Sequence, residues 1–289
     1  MTNLAGKASI RTILFGLVCA MALVSSGLAL QGIWSAVTRY GVAQQVVQLA
    51  GLNKNLFDAL GAFRLERAAM QTAVLIPSEK NQSSVETYLH RRKLIDDAMV
   101  QAQAAFASTA RPGLATARSE LTAAYDENKA LRDIVDREVK LPIAGRDKQL
   151  PDRILIVGEK LLQKLDRASL AVDSELRTLN PSLTELVIAR ALAWATRTYA
   201  GTAGVMISSI AAQQRPFDAQ ETRTVLNANA SALASWQALR DLTETAQTDP
   251  AIRAAVAKGH EGYFAGPIKD KREAIVTLTT TGGKPDMSA

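Results

Sequence analysis

Arginines at helical spacing are the residues in this chain with the clearest chemical potential. Arg64 and Arg67 lie three positions apart, so on a helix their guanidinium groups share a face. Arg190, Trp194 and Arg197 fall at i, i+4 and i+7 and share another. Tyr199 and Thr202 add hydroxyls, and Gly201 and Gly204 would permit a close backbone approach. A heptad count along 42–74 puts Arg67 on the apolar seam between Phe63 and Met70, where a bare charge is costly. Two helices that each present arginines inward would clamp a small anion through charge-assisted, bidentate hydrogen bonds. The competing reading is ordinary ion pairing, since Glu66 adjoins Arg67 and Glu185 precedes Arg190.

Other chemistries have little to draw on. Cys19 is the only cysteine and lies in the apolar 12–38 stretch, so the part after it is expected to have no disulfide and no thiol ligand or nucleophile. His90 and His260 are the only histidines and are far apart in sequence, which leaves zinc sites and nucleophilic triads without support. No glycine-rich phosphate loop occurs. These readings predict a protein that is not an enzyme and uses no cofactor.

The elements that must position the arginines are helices. Alanine is abundant, aromatics make up 5%, and Gly and Pro cluster between long periodic runs. The pattern predicts helices near 41–76, 83–109, 114–139, 153–179, 183–213 and 219–247, with a weaker one after Asp249-Pro250. Asp152 is read as a cap of the fourth. Ser182 with Glu185, and Asp218 with Glu221, have capping-box spacing. Asn53 and Asn128 interrupt apolar seams as register-setting polar residues. Trp194 and Trp236 are most simply core residues. A faint repeat relates 63–75 to 200–212. No strand pattern competes, so the expected fold is all-α, an elongated antiparallel bundle of six to seven external helices.

The bundle follows an apolar span. From Thr12 to Thr38 there is no charged residue, enough for a helix to cross a bilayer. Lys7 and Arg11 precede it, and the first acid is Asp58, so residues 1–11 are expected on the cytoplasmic side and 41–289 outside. A cleaved signal peptide ending at Gly27-Leu28-Ala29 is the alternative, but the apolar run is long for one and Trp34 and Tyr40 suit a membrane interface. The net charge of +6 comes largely from the residues before Asp58; beyond it acids and bases alternate, which argues against nucleic-acid binding.

These features resemble a bacterial transmembrane chemoreceptor with a helical periplasmic sensor domain of the nitrate- and nitrite-sensing type. The stretch LGAFRLERAAMQTAVLIPS resembles that family's first-helix Glu-Arg motif, and ELVIARALAWATRTYAGTAGVMISSIAA its later helix, although Ala203-Gly204 stands where Glu-Arg often recurs. The resemblance implies an inner-membrane protein that dimerises through its first helix. It would bind nitrate, nitrite or a small carboxylate through Arg64, Arg67 and Arg197, with Trp194 and Thr202 nearby. It also implies a second membrane helix and a cytoplasmic signalling region, so the chain is expected to be a fragment. A histidine kinase or diguanylate cyclase output is an alternative, as is an anchored helical interaction protein with no small ligand.

Overall fold

The computed structural model describes residues 10–109, 111–213, 215–245 and 247–284; side chains are described throughout these except at 10–13, 16, 19, 22, 208, 209 and 211–213. The described residues are all-α, without a strand. They divide into two compact units, Met1–Pro181 and Ser182–Ala289.

In the first unit, α1 (Ile10–Leu75) is one unbroken helix of 66 residues, about 100 Å long at 1.5 Å per residue. Its early part exposes its apolar side chains: Leu23, Leu30 and Trp34 are 74%, 67% and 77% exposed. Among the described residues no helix is long and apolar enough to cross a membrane. The 12–38 span read from the sequence falls partly outside the described side chains.

From Leu49 onward α1 is buried along a stripe of Leu49, Leu52, Leu56, Leu60, Phe63 and Met70. At about 2 kcal/mol for each large apolar side chain removed from water, that stripe outweighs the cost of the polar groups set into it. The bundle is completed by α2 (Gln82–Thr109), α3 (Pro112–Glu138) and α4 (Leu150–Leu179). The helix α1 packs closely on α2 and α4, and α3 on α4, whereas α2 and α3 approach at few points. Pairs such as Asn53–Asp173 with Arg67–Glu159, and Glu120–Lys164 with Glu127–Lys160, run in opposite directions along their helices and fix the antiparallel order.

Arg146, just after a short 3-10 turn (Ile143–Gly145), closes the far end. Its guanidinium donates to the carbonyls of Ala73, Val74 and Ile76 at the end of α1, and to those of Val139 and Leu141 after α3. These are carbonyls that a helix end leaves unsatisfied. Asn81 adds two bonds, to Ala73 and Val139.

In the second unit, α5 (Thr184–Gln213) and α6 (Ala219–Thr243) form a hairpin. Then α7 (Pro250–Gly259) passes into a π-helical turn (His260–Phe264) and α8 (Gly266–Thr280). Ile207, Ile210, Phe217, Val225 and Val276 form its core. Asp218 and Glu221 make the capping box read from their spacing. Two local readings change. The helix α4 starts at Leu150, so Asp152 lies in its first turn, because Pro151 is accommodated where no amide donor is needed. The helix α6 ends at Thr243, not 247.

Candidate functional site

The charged side chain that α1 carries inward is Glu66. The buried stripe steps 49, 52, 56, 60, 63, 66, 70, so Glu66 holds the interior position and is 0% exposed. The sequence count placed Arg67 there. A helix packed against two neighbours buries a face wider than one seam, and Arg67 falls on its α4 flank.

Arg132 of α3 grips the Glu66 carboxylate twice, Nε to Oε1 and Nη2 to Oε2, both 2.7 Å, across the diagonal of the bundle. Its third nitrogen, Nη1, donates to Asp96 of α2 at 2.6 Å. Tyr125 Oη donates to the same Asp96 oxygen. Arg92 of α2 makes a bidentate pair with Asp136 of α3 at 2.7 and 2.9 Å, and reaches Glu66 at 3.4 Å. Its guanidinium also lies 5.2 Å from the Tyr88 ring. Salt bridges therefore join α2 to α3 where their backbones stay apart.

The electrostatics follow from burial. Desolvation pushes the Glu66 carboxyl above the usual carboxylate range, against the pull of Arg132 and Arg92. For Arg132 burial opposes the charge, but Glu66 and Asp96 outweigh it and hold the guanidinium above its ordinary value. Burial likewise works against the Asp136 charge, and Arg92 and Tyr88 overcome it, keeping the carboxyl below its ordinary value. Every nitrogen of Arg132 and the terminal nitrogens of Arg92 bond to carboxylates, so this cluster holds helices together. Asn128, one turn before Arg132, is fully buried and its side chain finds no hydrogen-bond partner among the described residues.

Arg67 differs. Its Nη1 donates to Glu159 of α4 at 3.0 Å, and Glu159 is 56% exposed. The Arg67 stem lies against Gly158, where an added Cβ would overlap Arg67 Cδ and sit 3.1 Å from its Cγ, so a side chain there would displace the arginine. Beside the pair opens a groove of about 540 Å³ lined by Arg67, Leu155, Ile156, Glu159, Lys160 and Gln163. Arg64 is half-buried on the same helix and has partners of its own.

The remaining candidates lie in the second unit. The exposed Arg197 guanidinium stacks 5.3 Å from the Trp194 ring, a cation–π contact, so these two are together. Thr202 is exposed and its hydroxyl donates to the Thr198 carbonyl at 3.0 Å. Among the described residues a Cβ at Gly201 or Gly204 would meet nothing within 4 Å, so the close backbone approach expected from these glycines is not seen. His260, isolated in sequence, accepts a hydrogen bond on Nδ1 from Trp236 Nε1 at 3.1 Å. Phe264 stacks on Trp236 and Tyr263 packs edge-on against Phe264. Among the described residues no cluster suited to a metal ion occurs.

Sequence reasoning singled out none of Arg92, Asp96, Arg132, Asp136 and Arg146, and took Glu66 only as a neighbour that could pair with Arg67. The available signals were Glu66 at i+3 from Phe63 and i−4 from Met70, and the lone Gly158 inside a helix. No family model, curated protein or solved structure matches the chain.

Proposed function

We propose that this chain is the extracytoplasmic sensing part of a transmembrane chemoreceptor, anchored through 12–38 in a bacterial inner membrane with its helical domain in the periplasm, and that it binds a small anion at Arg67. The observation that supports it is α1. One continuous helix joins the exposed apolar stretch to the bundle core, so a displacement of α1 against α4 at Arg67 carries along its length without a joint to absorb it. Shifts of 1–2 Å at helix interfaces are a known means of switching.

Magnitudes select Arg67 among the arginines. A solvent-side pair such as Arg67–Glu159 is worth about 0–1 kcal/mol, so an anion replaces Glu159 at little cost. Breaking the buried Arg132–Glu66 pair costs about 3–5 kcal/mol, more than a weak ligand returns. A histidine kinase or diguanylate cyclase would use the same sensing step with a different output, and a homodimer is the assembly we propose.

The test is thermal unfolding of the full chain in detergent with nitrate, nitrite or acetate against chloride at constant ionic strength. At ligand a hundredfold above Kd the gain is about 2.7 kcal/mol. Arg67→Ala should abolish it, and an unchanged gain in that variant would remove Arg67 from the site. A second reading, an anchored helical interaction protein without a small ligand, is favoured by Arg67 being ion-paired and Arg197 being stacked on Trp194. No stabilisation by any of the anions would establish that reading over the first.

A further inference from the structure

The groove beside Arg67 carries both signs of charge and an apolar wall. Along α4, Leu155, Glu159 and Gln163 follow one another a turn apart and form one ridge, and Ile156 with Lys160 forms the next. Arg67 meets the first ridge from α1 and donates Nη1 to Glu159 at 3.0 Å. Leu155 and Ile156 are both exposed beside that pair. At the far margin Lys160 is held by Glu127 of α3 at 2.5 Å.

The pair is built to be exchanged. The Arg67 stem is wedged against Gly158, so the guanidinium is held in place while part of it still meets solvent. Among the described residues its hydrogen bond is the one from Nη1 to Glu159, which leaves Nε and Nη2 for an incoming carboxylate. Glu159 in turn has Arg67 as its partner and lies mostly in solvent. A bare anion that takes Arg67 from Glu159 leaves the glutamate unanswered and sets a second negative charge beside it, and like charges at that range repel. A zwitterion removes the conflict. Its carboxylate takes the place of Glu159 on Arg67 as a charge-assisted pair, and its ammonium takes Glu159. One ion pair becomes two and no charge is stranded. A substituent on the carbon between the two charged groups then reaches Leu155, one turn or about 6 Å along α4 from Glu159, and covers it together with Ile156.

We propose that this groove binds an aliphatic α-amino acid as its zwitterion, with the carboxylate on Arg67, the ammonium on Glu159 and the side chain on Leu155 and Ile156. The inference rests on the reading of Arg67 as the anion-holding residue and names the class of carboxylate it takes. The carboxylate is held from α1, and the ammonium and side chain from α4. The ligand therefore stands between the two helices in place of their direct ion pair and resets their spacing, which is the displacement that the unbroken α1 carries.

The experiment is a thermal-unfolding titration of the full chain in detergent with acetate, glycine, isovalerate, L-leucine and isoamylamine at constant ionic strength, each Kd taken from the dependence of Tm on concentration. An exposed ion pair and a half-covered aliphatic side chain are each worth about threefold in affinity. Glycine and isovalerate should bind about threefold tighter than acetate and L-leucine about tenfold tighter, and isoamylamine, which lacks the carboxylate, should not bind. Glu159→Gln should bring L-leucine down to the level of isovalerate, and Ile156→Ser should bring it toward glycine; both positions are exposed, so both variants fold and keep acetate binding. Acetate binding with L-leucine no tighter overturns the zwitterion site and leaves the anion reading of Arg67 standing. An L-leucine advantage that survives Glu159→Gln overturns it too, as does isoamylamine binding as tightly as L-leucine. L-leucine binding that Arg67→Ala leaves unchanged puts the ligand elsewhere and overturns both readings. No stabilisation by any of the five removes the anion reading, and this inference with it.

Discussion

Replacing Arg132 with methionine tests the reasoning about the buried cluster. Arg132 is 3% exposed and its partner Glu66 is 0% exposed, so the variant leaves a carboxylate in the interior with only Arg92, at 3.4 Å, to answer it. At a charge separation near 4 Å and an effective dielectric of 20, the lost attraction is about 4 kcal/mol, in line with the 3–5 kcal/mol typical of breaking a buried pair. Asp96 loses the Arg132 hydrogen bond as well and keeps only that from Tyr125. Adding Glu66→Leu removes the stranded carboxylate, and an apolar pair of similar volume is often neutral or better. The double variant should therefore recover most of the loss, with Arg92 kept in place by Asp136. The assay is hydrogen exchange of α1–α3 peptides across a urea series, which reports the first unit alone. A single variant within about 1 kcal/mol of the parent, or a double variant worse than the single, would refute the argument, because a buried carboxyl left with one partner at 3.4 Å costs more than that whether it stays charged or takes up a proton.

Arg146→Ala should lower the stability of the same unit by about 2–4 kcal/mol, since it strands buried carbonyls at the ends of α1 and α3; Arg146→Lys should recover only part, as an ammonium lacks the planar fork. A Cβ at Gly259 would lie 2.7 Å from Trp236 Cη2, so Gly259→Ala should cost about 1–3 kcal/mol and shift Trp236 emission in a Trp34→Phe, Trp194→Phe background; an unchanged spectrum would show the ring is not confined there. The Arg215 hydrogen bond, with the Asp218 amide, lowers the Glu221 carboxyl from 4.5 to about 2. A depressed carboxyl gives stability that is full above its ordinary value and is lost as pH falls toward the folded value. Glu221→Gln should flatten the melting of the second unit across that window, by a small amount because the pair is solvated, and an identical acid limb in parent and variant would contradict the assignment.

The fold class was legible because helical periodicity and the turn residues Pro77, Pro112, Pro181 and Pro216 are local signals. The Asp218–Glu221 capping box was legible for the same reason, since every atom in it lies within four residues. The cluster around Glu66 was not. Its members come from three helices, and a glutamate that meets an arginine 66 positions away looks like any surface glutamate until the helices pack. Choosing between Glu66 and Arg67 required knowing that α1 has neighbours on two sides, which one chain's heptad count does not contain.

By itself the sequence determined the all-α class, the main helix breaks and the uncharged 12–38 stretch, all properties of composition and short-range spacing. Only the tertiary structure decided which charges are buried, that Arg146 closes the ends of two helices, that Gly158 makes room for Arg67, and that Arg67 shares a groove with Leu155 and Glu159. Those facts depend on contacts between residues far apart in the chain, and burial, which sets the energy of every charge here, is a property of the packed molecule.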